Sequence, residues 1–203
     1  MVKAFSKSAQ QELARVSHIV THTLRFNRQA HNRAQEKISD LLESAVAIYQ
    51  PRMRDVGIAI LRDYQDTSRV LCVGSELRQV FANLIGNAFD ASKRGAKLML
   101  RTRDQIHPRT GKSGVRVTIA DSGTGMDNAT RMRLFEPFFT TKGDKGTGLG
   151  LWVSREILKK YHTTLHVKSR ETSHRSGTAF SMWLPVCLFN RNTHFRKDLR
   201  PSC

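Results

Sequence analysis

The sequence has few cysteines, no long apolar run and no secretion signal. Its three cysteines, Cys72, Cys187 and Cys203, are widely spaced and form no CxxC pair. That spacing excludes a zinc site or a disulfide framework and predicts reduced thiols. No apolar stretch reaches the ~18 residues of a membrane helix, and residues 1–7 contain no signal-peptide core. We therefore expect a cytoplasmic location and no membrane segment in this chain.

Acidic residues are also scarce, with 17 Asp and Glu against 34 Lys and Arg and a formal charge of +17. Such a charge can attract nucleic acid or an acidic membrane surface. The basic residues are scattered, however, and no aromatic platform or recognition motif accompanies them. We therefore expect a cationic, solvated surface and no specific nucleic-acid partner. At 203 residues with 39% hydrophobic content, the chain can form one ordinary domain plus an appendage.

The first of two glycine-rich turns is Asp121-Ser-Gly-Thr-Gly. It follows the apolar run 115–120, which predicts a strand that ends at Asp121. A carboxylate at that point can accept a hydrogen bond from an adenine amino group. Gly123 and Gly125 have no side chains, so they would leave room for a base to approach the backbone.

The second glycine-rich turn, Gly146-Thr-Gly-Leu-Gly, precedes a helical pattern over 151–158. Backbone N–H groups at a helix start attract phosphate, and Lys142 just before this turn adds a positive charge. The long connection 122–148 between the strand and this helix is typical of a mobile cover over a ligand. Its three phenylalanines, Phe135, Phe138 and Phe139, either pack the inner face of that cover or belong to the core. Each glycine cluster by itself is equally compatible with an ordinary loop.

An asparagine pair, Asn83 and Asn87, precedes both turns. The spacing of four places both amides on one face of a helix, whose other positions are mostly apolar. Amides on a buried helix need partners. An amide oxygen is a hard ligand, and magnesium usually takes few protein ligands together with phosphates and water.

Taken in order, these motifs resemble the N, first glycine, phenylalanine and second glycine boxes of sensor histidine kinases. Residues 177–185 resemble the closing strand of the same domain, and the resemblance covers 36–185. It implies an α+β fold, a two-layer α/β sandwich in which a mixed β-sheet packs on helices (the Bergerat-type ATP-binding fold), preceded by one N-terminal helix. In that fold ATP lies between the helices and the lid.

The resemblance also assigns roles to matching residues. Asp121 would contact adenine, Asn87 would hold Mg²⁺ with help from Asn83, and Lys142 would hold phosphate. Thr178 would support Asp121 through a water. The catalytic residues implied are Asn83, Asn87 and Lys142. The ATP-binding residues implied are Asn83, Asn87, Asp90, Asp121, Gly123, Gly125, Met126, Phe138, Thr141, Lys142, Gly146, Thr147, Gly148, Leu149, Gly150, Leu151 and Thr178. The cofactors are ATP and Mg²⁺, with Asn87 as the metal ligand.

The N-terminal segment 1–35 resembles the second arm of a dimerisation hairpin. It carries an apolar stripe at helical spacing, fit for a partner helix, formed by Leu13, Val16, Val20 and Leu24. Its histidines, His18 and His22, lack the acidic neighbour that follows a phosphoacceptor histidine in the family. We therefore expect the acceptor to lie outside this chain. We also expect the basic tail 186–203 to be disordered.

The function implied is the ATP-binding catalytic portion of a two-component sensor histidine kinase, an ATP-dependent protein-histidine kinase. Gyrase-type and mismatch-repair ATPases share the superfamily, but they usually carry a general-base glutamate where this chain has Asn83. An amide cannot activate water, which favours phosphoryl transfer over hydrolysis. The partners implied are an acceptor-histidine helix, in the same longer protein or a partner chain, a response regulator receiver domain, and a second copy through the N-terminal helix. The alternative is a non-catalytic ATP-binding module, in which nucleotide acts as a conformational ligand.

The periodicity of the sequence predicts the individual elements of the domain. We expect a helix over 36–49, after which Pro51 either stops the pattern or marks the following loop, and a helix capped by Ser75 that ends near 92–95. The predicted strands cover 56–61, 70–73, 97–103, 115–120, 164–167 and 178–184, and the last helix covers 151–161. The strands over 97–103 and 115–120 are expected to pair.

Overall fold

The computed structural model describes residues 32–143, 146–172 and 176–186. The chain divides into two units, 1–32 and 33–203. The predicted N-terminal helix with His18 and His22, and the tail from residue 187 onward, lie outside the described residues. Among the helices that are described, none has the length and apolar character needed to cross a membrane.

The described elements comprise five helices and seven strands within the described residues. In order they are β1 (Ala34–Lys37), α1 (Ile38–Ala47), α2 (Gln50–Val56), β2 (Ala59–Gln65), β3 (Arg69–Cys72), α3 (Gly74–Ala91), β4 (Lys97–Ile106), β5 (Ser113–Asp121), α4 (Asn128–Arg133), α5 (Gly150–Lys159), β6 (His166–Arg170) and β7 (Gly177–Pro185). A five-stranded sheet has the order β2-β4-β5-β7-β6, and β1 pairs with β3 in a separate two-stranded sheet. In the larger sheet β2 and β4 are parallel and the other neighbours are antiparallel.

The core lies between one face of the larger sheet and the helices. Alternate residues of β4, β5 and β7 are buried, as the period of two in a strand requires, whereas α3 buries a stripe with the period of a helix. The fully buried side chains include Leu77, Phe81, Leu84, Ile85, Leu98, Leu100, Ile119, Ile157 and Met182. Burial of each such side chain contributes about 1.5–3 kcal/mol. This arrangement of one mixed sheet on one helical layer confirms the predicted α+β sandwich.

The opposite face of the sheet is polar. Asp63 on β2 accepts hydrogen bonds from Arg101 and Arg103 on β4, with N–O distances of 2.8 and 3.0 Å. Arg103 stands directly opposite Arg116 on β5. Part of the large positive charge therefore lies on this face of the sheet.

Several predicted boundaries were wrong, and Pro51 accounts for the largest error. Residues 34–37 form a strand, and the predicted helix over 36–49 is shorter. Pro51 does not stop a helix but lies in the first turn of α2, where a proline needs no N–H. Gly57, with φ +67°, caps α2, so that β2 starts three residues later than predicted.

The second boundary error concerns the start of α3. Ser75 lies inside the helix, which begins at Gly74 after Val73 and has no side-chain cap. The predicted pairing over 97–103 and 115–120 is confirmed as the antiparallel pair β4–β5.

Cys72 ends β3 as a buried free thiol, and burial raises its pKa to about 12. Cys187 and Cys203 lie outside the described residues.

Tyr49 ties the start of α2 to α3. Its hydroxyl donates to the carbonyl of Ala82 at 2.8 Å, and its ring stacks on Phe89 with centroids 5.3 Å apart. Gly86 makes this contact possible, since a Cβ there would lie 2.5 Å from the Tyr49 oxygen. The packing of Tyr49 therefore requires glycine at position 86.

Gly86→Ala should lower the free energy of unfolding by about 1–3 kcal/mol, because it overpacks a formed contact. The change is measured by urea unfolding of the purified chain. Tyr49→Phe removes the oxygen that the new methyl group would meet, so the double variant should lose less than the sum of the two single losses. Additive losses would show that Tyr49 and Gly86 do not meet.

Candidate functional site

A cavity of about 540 Å³ lies beside α3, between the two glycine-rich turns. It is lined by Tyr49, Asn83, Gly86, Asn87, Asp90, Ala91, Asp121, Thr124, Gly125, Met126, Thr130, Leu134, Phe139, Thr140, Thr141, Lys142, Gly146, Thr147, Gly148, Gly150, Leu151, Thr178 and Phe180. The fold thus brings the asparagine helix, both turns and the lysine segment, which are far apart in sequence, around one space.

Three residues of the predicted set do not line this cavity: Gly123, Phe138 and Leu149. Phe138 has φ +66° and is 49% exposed, whereas its neighbour Phe139 takes the lining position. The guanidinium of Arg133 lies over the Phe139 ring, 4.4 Å from its centroid. Periodicity could not separate the two phenylalanines, because they lie in a turn with no regular alternation.

Asp121 ends β5 and presents its carboxylate at one end of the cavity. The oxygen Oδ1 accepts from the backbone N–H groups of Gly123 at 2.9 Å and of Thr178 at 3.2 Å. Burial raises the pKa of Asp121, and these two hydrogen bonds offset part of that rise. Within the described part of the chain no group donates to Oδ2, so this oxygen can accept a hydrogen bond from a ligand.

The glycines beside Asp121 have a different role from the one expected. They were predicted to leave room for a base, but neighbouring backbone fills the space beside each of them. A Cβ on Gly123 would lie 2.6 Å from the carbonyl oxygen of Ala91. A Cβ on Gly125 would collide with the carbonyl oxygen of Arg170. Gly125 also has φ +77°, a conformation that side chains disfavour. Glycine is therefore needed at these positions for chain packing, which holds the turn in place.

Ser169 on β6 supports the first turn, and the sequence analysis missed it. Its hydroxyl accepts from the Met126 N–H at 2.8 Å and lies 2.9 Å from the hydroxyl of Thr178. Thr178 also contacts Asp121 directly, because its own N–H donates to Asp121 Oδ1; its support through a water stays a prediction. A polar residue at an inward-facing strand position needs a partner, and that signal could have identified Ser169.

Asn83 connects α3 to the start of α5. Its side-chain NH₂ donates to the Gly150 carbonyl at 3.0 Å and to the Ser154 hydroxyl at 3.2 Å. The second glycine-rich turn is therefore held against α3 by an amide one helical turn from Asn87. Asn83 uses its side-chain NH₂ group in these two bonds, and its side-chain oxygen takes part in neither.

The second turn leads into α5, a ten-residue helix that begins at the cavity wall. Leu149 precedes it in helical conformation and provides no side-chain cap. The first N–H groups of any helix lack an internal partner, and Gly150 and Leu151 both line the cavity. This end of the cavity therefore favours an anion.

Lys142 lies between these two ends and contacts α3. Its Nζ donates to Asn87 Oδ1 at 2.8 Å and to Asp90 Oδ2 at 2.6 Å. The other oxygen of Asp90 lies 2.6 Å from Arg52. Burial by itself would raise the pKa of Asp90, but the hydrogen bonds from Lys142 and Arg52 hold it below its ordinary value. Asn87 therefore faces a positive charge at the position where the sequence analysis expects a metal ion.

Residues 72–187 match the family described as Histidine kinase-, DNA gyrase B-, and HSP90-like ATPase. The chain belongs to this family. Sporulation kinase E of Bacillus subtilis (strain 168) is 30% identical over 179 residues, which are 86% of this chain and 23% of that protein. The chain thus spans less than a quarter of the length of this relative.

Solved histidine kinase structures share the fold. The catalytic domain of histidine kinase ThkA matches with a TM-score of 0.65 and 25% identity, over 76% of this chain and 95% of that one. ThkA in complex with response regulator protein TrrA matches with a TM-score of 0.66 and 23% identity, over 91% of this chain and 51% of that one. The described unit is therefore a catalytic ATPase domain of the histidine kinase type.

Proposed function

We propose that this chain is the ATP-binding catalytic part of a two-component sensor histidine kinase, which transfers the γ-phosphate of ATP to a histidine outside this chain. The observation that carries the proposal is the order of groups along one cavity. A carboxylate oxygen of Asp121 is available at one end. Lys142 contacts Asn87 and Asp90 on α3, and Gly150 at the start of α5 contacts Asn83, one helical turn before Asn87.

The nucleotide would lie along this cavity with its base at Asp121. The oxygen Oδ2 would accept from the adenine amino group, while Oδ1 stays bound to the backbone. The triphosphate would extend towards Lys142 and the N–H groups near Gly150, where a helix start and an ammonium group both favour negative charge. The remaining ATP-binding residues of the sequence analysis keep their proposed roles, except that Gly123, Phe138 and Leu149 would act through the shape of the loops.

Magnesium fits this arrangement. Asn87 Oδ1 already binds a cationic nitrogen at 2.8 Å, and the Asp90 carboxylate lies next to it on the same lysine. Amide and carboxylate oxygens are ligands that Mg²⁺ accepts. Asn87 would hold the ion, with Asn83 one helical turn away as the assisting residue. When bound, Mg²⁺ neutralises charge on the phosphates.

The lining residues favour phosphoryl transfer over hydrolysis. Activation of water needs a base, and the carboxylates among the described lining residues are those of Asp90 and Asp121. Asp90 is held by two cations, and Asp121 is held at the adenine end by two N–H groups. Asn83, where related ATPases usually carry a glutamate, donates its NH₂ to Gly150. Positioning and charge neutralisation suffice for transfer to a histidine.

The partners proposed are an acceptor-histidine helix, a response regulator receiver domain and a second copy bound through the N-terminal segment. ThkA, which has the same fold, has been solved with a response regulator. The stripe of Leu13, Val16, Val20 and Leu24 supports a helical partner at 1–35. We propose a cytoplasmic location because a receiver domain and ATP meet there.

The purified chain should bind ATP but should not phosphorylate itself, because His18 and His22 lack an adjacent carboxylate to polarise the imidazole. Incubation with γ-labelled ATP should leave no acid-labile, base-stable phosphate on the chain. Addition of a first-helix segment with its own histidine should restore transfer in trans. Val20→Asp should block that rescue and spare ATP binding. Thr21→Asp, which lies off the apolar stripe, should leave both the rescue and ATP binding intact.

Each other outcome has a defined meaning. A phosphohistidine at His18 or His22 in the unaided chain would make this chain a complete kinase. ATP binding without transfer to any supplied hairpin would favour the non-catalytic module. Absence of ATP binding would contradict the proposed function altogether.

A further inference from the structure

Arg52 on α2 belongs to none of the motifs that point to the nucleotide site, yet its side chain reaches a residue that lines the cavity. Its Nη2 lies 2.6 Å from Asp90 Oδ1, and Lys142 Nζ lies 2.6 Å from Asp90 Oδ2. One carboxylate therefore holds two cations, one on each oxygen. Asp90 follows Asn87 by three residues on α3, so the pair lies beside the proposed metal ligand.

The position of Arg52 is set by packed groups. Tyr49 lies three residues earlier, and its hydroxyl bond to Ala82 and its stacking on Phe89 fix the start of α2 against α3. Gly57 ends α2 two turns later in the left-handed conformation. A short helix anchored at its start by Tyr49 presents the guanidinium to Asp90, and Tyr49 itself lines the cavity.

The charges of Lys142 and Asp90 should affect ATP binding in opposite directions. Lys142 Nζ has three N–H groups, and two of them already go to Asn87 and Asp90. Where a phosphate draws Lys142 away from Asp90, the Asp90 carboxylate would repel the triphosphate. Arg52 stays on Asp90 when Lys142 leaves, because it occupies the other oxygen. We propose that Arg52 is a positioning residue of the nucleotide site, which neutralises Asp90 so that Lys142 can exchange Asp90 for a phosphate of ATP. This inference rests on the proposed function.

The hydrogen bonds that hold the pKa of Asp90 low agree with this geometry. Without Arg52, Asp90 would have Lys142 as its remaining described cation and would hold it more strongly. The penalty should therefore appear for ligands that carry phosphates and not for the nucleoside. Because Arg52 is 47% exposed, solvent screening should keep the effect moderate.

The test is calorimetric titration of the full chain with ATP and with adenosine, in excess Mg²⁺ at fixed ionic strength. Arg52→Ala should weaken ATP binding about five- to tenfold and leave adenosine binding unchanged, and Arg52→Lys should restore most of the loss. In an Asp90→Asn background the same Arg52→Ala change should alter ATP affinity less than about twofold, because the charge to be neutralised is gone. Arg62→Ala is the matched control, since Arg62 forms a comparable exposed pair with Glu43 at 2.7 Å and does not line the cavity.

The double variant separates this role from a structural one. If Arg52 only stabilised α2, Arg52→Ala would weaken ATP and adenosine alike, and Asp90→Asn would not suppress the loss. That result would overturn the inference, as would an Arg52→Ala chain that binds ATP like the wild type. A wild-type chain that fails to bind ATP would instead contradict the proposed function, so the two failures can be told apart.

Discussion

Replacing Asn87 with alanine should weaken the binding of Mg²⁺–ATP by about a hundredfold, because loss of a group that only orients a metal ligand already costs ~10–100-fold in metal affinity. Asn87 would supply the protein oxygen that faces the metal, and the methyl group of alanine cannot replace it. Binding of ATP in EDTA should weaken much less, because the contacts of Asp121 and the second glycine turn remain. Titrations of the variant with and without Mg²⁺ measure the difference.

The variant has a second consequence at Lys142. Its Nζ would keep Asp90 and lose Asn87 as an acceptor, which should slightly favour its contact with phosphate and limit the loss in EDTA. Asn128→Ala is the matched control, because that amide is on α4, bonds Arg131 and does not line the cavity. Equal losses with and without Mg²⁺ would remove Asn87 from the metal site.

Asp121→Asn should lower the affinity for ATP by tenfold or more and reduce the preference for ATP over GTP. Two N–H groups point at Oδ1, so the amide oxygen of asparagine must take that place. The NH₂ group then occupies the position of Oδ2 and presents a donor to the adenine amine, which is itself a donor. Loss of a hydrogen bond to a charged group accounts for about 1.5–3 kcal/mol, or roughly tenfold to a hundredfold in affinity.

The same substitution should not destabilise the fold, which separates recognition from stability. Burial raises the pKa of Asp121. A raised folded-state pKa contributes stability that is present at low pH and is lost as the pH rises through that pKa. At neutral pH the charged carboxylate therefore opposes folding, and a neutral amide that keeps both backbone bonds should unfold at the same or a higher temperature. Asp104→Asn, at the far end of β4 and off the cavity, is the matched control for nucleotide binding. Unchanged ATP affinity in Asp121→Asn would place the adenine elsewhere.

Elements with strong local signals could be predicted from the sequence. The helix with the two asparagines was identified because apolar residues recur along it with helical period, and the pair β4–β5 because its residues alternate. The segment 34–57 was misread because Pro51 is compatible with both a helix end and a helix start. Which of Phe138 and Phe139 faces the cavity could not be predicted, since a turn has no period that assigns one of them to the inside.

The amino-acid sequence by itself determined the residues of the two glycine turns, because those depend on spacing within short segments. It determined the fold class and the family through the resemblance of these motifs to those of sensor histidine kinases. Only the tertiary structure decided which side chains those segments meet. It placed Arg52 and Lys142 on one carboxylate of α3, Ser169 beneath the first turn, and Tyr49 against Gly86. These contacts join residues that are distant along the chain, and they depend on how α2, the connection 122–148 and β6 pack on the core. No local pattern records that packing, because the spacing of residues within one segment carries no information about the side chains of another.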